Sequence, residues 1–275
     1  MNDLSTRLHP FDIATRLEPL GEGRSVGATS PHYWNMAGPF GGATAALMLR
    51  AVLDHPQRRG RPAALTVNFC GAVAEGEFEI AVRLVRDGRS TQHWQVEMTQ
   101  GDRGVATTAS VVTGAARETW SHEAQAAPVV PPPAEVASMD LTGRTGWTRA
   151  YDMRFVEGEP AWAGRLPELR PAKSVAWVRD APERPLDYVS LAALSDSFFI
   201  KVLQVRGDVP PVATVSLSTY FLADEAEVAA QGVRHLLGVC DARAFRHGFN
   251  DQSGELWSAD GQLLAVTSQV VWWKE

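Results

Sequence analysis

Cysteine is scarce: the 275 residues hold two, Cys70 and Cys240. Two thiols make neither a disulfide framework nor a metal-ligand set. Each ends a β-like run in apolar surroundings, which predicts buried, inert thiols. Long apolar runs are missing too. Nothing approaches the roughly 18 consecutive apolar residues of a membrane-spanning helix, and Met1 to Arg7 lack the apolar core of an export signal. These absences predict a cytoplasmic protein with no membrane partner. Positive charge is not in excess: Lys and Arg number 26 against 32 Asp and Glu, a net charge of −6. That balance argues against a nucleic-acid partner held by phosphate neutralisation. The longest basic run, Arg58-Arg59-Gly60-Arg61, follows a helix end and reads as a solvated loop, with a phosphate contact the lesser reading. No HExxH, paired CxxC or Walker pattern occurs, so neither a metal nor another cofactor is expected.

What the chain does have is one unit written twice. Asp87, Arg89 and His93 recur at the same spacing as Asp241, Arg243 and His247. Ala43 to Leu49 lines up with Ser197 to Leu203, Phe69 with Phe221, and Val105 to Val112 with Leu264 to Val271. The offsets all lie near 150–160 residues, a period that means a duplicated domain and not a solenoid. At matched positions the first copy has Gly42, Pro62 and Ser110 where the second has Asp196, Thr214 and Gln269. One copy reads as scaffold and the other as the site. The matched His93 and His247 read as structural residues, since both copies keep them.

Residues 1–113 form the first unit, with a helix from about Gly41 to Leu53 that is apolar on nearly every face and so predicted to be wrapped. Strand-like runs follow at Ala64 to Phe69, Glu77 to Arg86, Thr91 to Thr99 and Val105 to Val112, separated by Glu75-Gly76, Asp87-Gly88 and Gly101-Asp102 turns. Residues 114–146 are an Ala/Pro-rich linker stiffened by Pro131-Pro132-Pro133. Residues 147–275 repeat the plan: a lead-in with Trp147, Trp162 and Trp177, a helix from about Pro185 to Leu203, then strands near Val212 to Phe221, Gly232 to Val239, Arg243 to Trp257 and Gln262 to Trp273. A long helix wrapped by an antiparallel sheet, made twice, is an α+β double hotdog. Fusing the two sheets edge to edge would also cover exposed strand edges.

On a helix through Pro185 to Leu203, Asp196 would share a face with Ala192, Phe199, Ile200 and Leu203. A carboxylate on an apolar face is costly and tends toward a raised pKa, which suits a general base near neutral pH. The competing reading is a helix cap before Ser197. Thr214 opens an alternating run that places it with Ser216, Ser218 and Tyr220 on one face and Val215, Leu217 and Phe221 on the other. Gln269 interrupts an apolar last strand, and a buried amide must find partners. Gly23-Arg24-Ser25-Val26-Gly27 fits the G-x-S-x-G pattern of a serine nucleophile. Ser25, however, lies in a β-like run with no helix before about Gly41, and the elbow needs a strand, a turn and a helix.

The second half resembles the type II acyl-CoA thioesterases. Their pattern sets an Asp in the second hotdog helix, a Thr at the start of the next strand and a Gln in the last strand, matched here by Asp196, Thr214 and Gln269. Phe40-Gly41-Gly42 and Arg86-Asp87-Gly88-Arg89-Ser90 add two further likenesses. Ser216-Leu217 departs from it, replacing an acidic residue and a histidine. The resemblance implies hydrolysis of an acyl-CoA by an Asp196-activated water that Thr214 and Gln269 orient. It also implies substrate contacts at Phe40, Gly41 and Gly42, an acyl chain near Phe198 and Phe199, CoA phosphates near Arg86 and Arg89, an apolar pocket beside the trio, and a homo-oligomer acting in lipid metabolism. A non-catalytic acyl-CoA-binding protein and a Ser25-dependent esterase are the alternatives.

Overall fold

The alternating runs pair into one antiparallel sheet of 13 strands in a computed structural model that describes residues 8–115, 117–144, 146–161 and 164–275. Trp162 and the opening Met1 to Arg7 lie outside the described residues. The first half contributes a short helix α1 (Pro10–Ala14), strands β1 (Glu18–Gly21) and β2 (Arg24–Ala28), and the helix α2 (Gly41–Leu53). Strands β3 (Arg61–Phe69), β4 (Glu77–Asp87), β5 (Thr91–Thr99) and β6 (Val105–Gly114) complete it. The second half runs β7 (Tyr151–Glu157), β8 (Ser174–Asp180), α3 (Tyr188–Leu194), α4 (Lys201–Arg206), β9 (Val212–Phe221) and α5 (Glu225–Ala230). It ends with β10 (Leu236–Asp241), β11 (Phe245–Arg246), β12 (Phe249–Trp257) and β13 (Leu263–Trp273).

Strand order is β1-β2-β4-β5-β6-β3-β9-β13-β12-β10-β8-β7, so each half mirrors the other about the β3–β9 seam. This is the double hotdog. The seam pairs an edge of one half with an edge of the other, leaving neither template strand open to solvent. Every side chain of α2 from Gly42 to Leu49 is buried, as its all-round apolar sequence requires. The start of α2 faces the end of α3 across the core.

The sheet aligns the halves one residue away from the sequence match. Thr66 pairs with Ser218 at the seam, their hydroxyls 2.9 Å apart. Outward from there Thr66 pairs with Ser110, and Ser218 pairs with Ser268. Ser268 is therefore the counterpart of Ser110, and the counterpart of Gln269 is Val111. The alternation of faces explains the correction: Ser110 and Ser268 are exposed while Val111 and Gln269 are buried, and a one-residue slip exchanges the two sets. By the same register Gln95 matches Ser253, so His93 matches Asp251. His247 instead occupies the turn between β11 and β12 at φ 53°. The Asp-Arg-His spacing shared by the two copies is not a structural repeat.

The single helix expected over Pro185 to Leu203 is two helices, α3 and α4, with Ser195 to Ile200 between them. The break has a local cause. Ser195 Oγ donates to the Ala192 carbonyl at 2.7 Å and Ser197 Oγ donates to the Leu194 carbonyl at 2.8 Å. The backbone N–H groups of Asp196 and Ser197 close on Ala193 and Leu194, three residues back. Serine hydroxyls thus take carbonyls that a continuing helix would need. The segment matched to Ala43–Leu49 is consequently not helical at its start.

The linker is pinned to the outer face of the second half. Trp177 Nε1 donates to the Pro131 carbonyl at 2.9 Å and Arg154 donates to that of Pro133 at 2.8 Å. Val130 and Val136 pack on Val175, Trp177, Leu237 and Trp257. Cys240 is buried as expected, but Cys70 is exposed, because it lies just past the last residue of β3.

Candidate active site

Asp196 sits in the break between α3 and α4, not on a helix face, and remains buried. Its carboxylate is turned to the first half. An added Cβ on Gly41 would stand 2.7 Å from Asp196 Oδ2, and one on Gly42 would stand 2.4 Å from the Ala193 carbonyl. Only glycine allows this approach. The Gly42 N–H faces the carboxylate and favours its charged form, so the start of α2, which has no side-chain cap, sits against the acid. Ser195 Oγ and Thr219 Oγ1, 2.7 Å apart, fasten the break to β9.

Gln269 Nε2 donates to Asp196 Oδ1 at 2.7 Å, and Thr214 Oγ1 donates to Gln269 Oε1 at 3.3 Å. The three polar residues singled out in the sequence therefore form one chain, with Gln269 in the middle. Thr214 reaches the inner face only because β9 bulges. Ser216 pairs with Val270 and Thr214 with Val271, leaving Val215 as an extra residue. Past a bulge the alternation changes phase, so Thr214 does not share a face with Ser216 as expected. The first half keeps the same bulge between Pro62 and Ala64, but Pro62 offers no side-chain donor there.

Burial pushes the Asp196 carboxyl up to about 7, against the smaller opposing pull of the Gln269 hydrogen bond and the Gly42 N–H. A buried carboxylate that titrates near neutrality, oriented by a fixed amide, can accept a proton from an adjacent water.

The remaining residues divide. Gly41 lies against Asp196 and Phe40 against Gly42; Phe40 stacks on Trp147 at 4.4 Å between centroids, and Phe199 packs on Trp147 at 5.3 Å. Phe198 turns away to lie over Gly238 and Gly254 of β10 and β12. Arg86 and Arg89 do not join the site. Thr91, after their hairpin, pairs with Gly114, which pairs with Arg61, whose guanidinium donates to the Phe221 carbonyl. They sit off the end of the sheet where β9 finishes, whereas Thr214 lies at its start. Ser25 lies in mid-strand in β2, paired with Ile80, so G-x-S-x-G makes no elbow.

The groove that reaches Gln269 is not the apolar pocket expected beside the trio. Most of its lining residues are polar ones of the outer sheet face, among them Ser216, Ser218, Asp251 and Ser268. Among the described residues no group of three or more His, Cys, Asp and Glu could hold a metal, and no helix is long and apolar enough to cross a membrane.

A family model for the acyl-CoA thioesterase C-terminal domain matches residues 123–273, and one for the acyl-CoA thioesterase N-terminal domain matches residues 30–114. The chain belongs to the acyl-CoA thioesterase family. It is thus a thioester hydrolase, of the type II group that its motifs resemble. A conserved protein of unknown function with a hotdog fold from Alicyclobacillus acidocaldarius is 43% identical, with a TM-score of 0.92 over 98% of this chain and 99% of that one. Acyl-CoA thioesterase II TesB2 from Mycobacterium marinum is similar in fold, with a TM-score of 0.74 at 21% identity over 96% of this thioesterase and 98% of that chain. The dehydratase domain of RzxB from Pseudomonas fluorescens has the fold as well, with a TM-score of 0.57 at 12% identity over 97% and 100% of the two chains. Fold alone therefore does not select the chemistry. Among curated proteins none matches this sequence.

Sequence reasoning missed the Gly42 N–H and the two serines that break the helix. The Gly41-Gly42 pair at a helix start was the available signal, since glycine there carries a helix-propensity cost that close approach explains.

Proposed function

We propose that the protein hydrolyses acyl-CoA to a free acid and CoA, with Asp196 as general base. The water attacks the thioester carbonyl carbon as Asp196 takes its proton, forming a C–O bond and a tetrahedral oxyanion. Collapse breaks the C–S bond, and the proton passes to the departing CoA thiolate. Thr214 and Gln269 fix the direction of the water and the acid. First-turn N–H groups of α2 not engaged by Asp196 stabilise the oxyanion, as an uncapped helix start can. The Asp196–Gln269 contact at 2.7 Å, with the acid pushed up to about 7, carries the reading within this family. The same reading includes a cytoplasmic homo-oligomer in lipid metabolism. The exposed Tyr220, Phe249, Val270 and Trp272 on the outer sheet face favour such an assembly.

Thiol release from a panel of acyl-CoAs tests the proposal. Wild type is expected to release CoA, and folded Asp196→Asn to lose roughly a hundredfold or more in turnover. Near wild-type turnover by that variant removes Asp196 from the mechanism. Acyl-CoA binding without CoA release would mark a non-catalytic binder.

A further inference from the structure

Three buried polar atoms close to the site have no hydrogen-bond partner among the described residues: the Tyr33 hydroxyl, the Tyr151 hydroxyl and Asp180 Oδ1. They belong to one place. Tyr151 opens β7 and is the direct cross-strand partner of Asp180 at the end of β8. The Tyr33 ring stands edge-on to that of Tyr151, 6.3 Å between centroids. None of the three residues is more than 3% exposed. Asp180 is pinned, because its other oxygen accepts a hydrogen bond from Ser190 Oγ. Burial pushes its carboxyl up to about 6, so at neutral pH it is an acceptor.

The cluster adjoins the acid through one ring. Tyr151 packs edge-on against Phe40 at 6.0 Å, and Phe40 directly precedes the Gly41 that touches Asp196. A small cavity along α2, lined by Ala43, Leu47, Phe78 and Met98, borders Tyr33.

A buried donor or acceptor left unpaired costs about 1–3 kcal/mol, and phenylalanine would fill the same ring volumes without two of these costs. The set therefore fits a group brought from outside. A carbonyl would accept from both tyrosines and leave Asp180 without a donor, and an ammonium would leave the tyrosines without an acceptor for their protons. A hydroxyl has one proton to donate and two lone pairs, matching Asp180 Oδ1 and the two phenols. We propose that Tyr33, Tyr151 and Asp180 form a subsite for a hydroxyl on the acyl chain, so that hydroxyacyl thioesters are the preferred substrates. This rests on the thioesterase reading above.

The test compares kcat/KM for acyl-CoAs hydroxylated at successive carbons with unsubstituted acyl-CoAs of equal length, in wild type, Tyr33→Phe and Tyr151→Phe. Wild type is expected to favour the hydroxylated partner at one position by about tenfold or more. Each variant brings that ratio toward one without lowering Tm, since no internal hydrogen bond is lost. Equal rates in wild type, or a preference that survives in both variants, overturns the subsite and leaves the three atoms to structural water. Calorimetric binding of a non-hydrolysable hydroxyacyl-CoA thioether separates the two proposals. Binding that Tyr151→Phe weakens, without turnover of any acyl-CoA, sinks the hydrolase mechanism but keeps the subsite, whereas absence of such binding sinks the subsite.

Discussion

Thr214 meets Gln269 at 3.3 Å because Val215, one residue along, is extra to the β9–β13 ladder. Without the bulge Thr214 would follow Ser216 and Ser218 to the outer face, away from Gln269. Deleting Val215 is expected to restore plain alternation and turn Thr214 outward. Turnover should then fall at least as far as in Thr214→Val, for which the loss of one orienting hydrogen bond predicts about a tenfold drop. Steady-state kinetics on both variants, with circular dichroism to confirm the sheet, checks this. A deletion that stays faster than Thr214→Val would show that the bulge does not aim Thr214.

Gln269 holds Asp196 through a hydrogen bond to the charged form, which lowers a carboxyl that burial has pushed up to about 7. The base works only when ionised, so kcat/KM should rise with pH and level off above an acid limb near 7. Gln269→Leu removes the opposing hydrogen bond. The limb should move to higher pH and the plateau should drop, because the acid also loses its orientation. A pH–rate profile with an unmoved limb would place the titrating group elsewhere.

Much of the fold was legible because it depends on period and punctuation. β5 and β9 run at the residues where alternation begins and ends, and α2 occupies its apolar stretch. Asp196 and Gln269 stood out as polar interruptions of apolar context, whereas Thr214 opened an ordinary alternating run and was singled out by the family resemblance alone. Their placement was not legible. A bulge adds one residue without changing the composition of a strand, so Val215 looked like an inward partner of Leu217. The hydroxyls of Ser195 and Ser197 look helix-compatible until they take the Ala192 and Leu194 carbonyls. Gly41 and Gly42 read as a weak helix start, and only the tertiary approach of Asp196 explains them.

The two glycines should fail differently. A methyl on Gly41 would stand 2.7 Å from Asp196 Oδ2, the movable end of a side chain, whereas one on Gly42 would stand 2.4 Å from the Ala193 backbone. Gly41→Ala is therefore expected to fold with near wild-type Tm and lose most of its turnover as the carboxylate is pushed aside. Gly42→Ala should lose stability as well, since α2 and α3 must separate. Overpacking of this kind typically costs about 1–3 kcal/mol. Thermal melts and turnover on both variants distinguish the two, and an active Gly41→Ala would mean that Asp196 need not hold its present position.

Asp196 also sets a stability cost with a definite sign. Its carboxyl has an ordinary value of 3.8 and stands at about 7 when folded, so between those limits the folded chain binds the proton more tightly than the unfolded one. The fold is then favoured by protonation. This contribution is fully present below pH 3.8, declines as pH rises toward 7 and is gone above it. The gap corresponds to an upper bound of about 4 kcal/mol. Asp196→Asn keeps an acceptor for Gln269 but never carries the charge, so it should escape the decline. Its Tm advantage over wild type is expected to grow from pH 4 to pH 7 and then to hold level, while its turnover collapses. Parallel Tm curves across that range would mean that the acid is solvated in the folded chain. A base with an ordinary pKa would then have to do the work of Asp196.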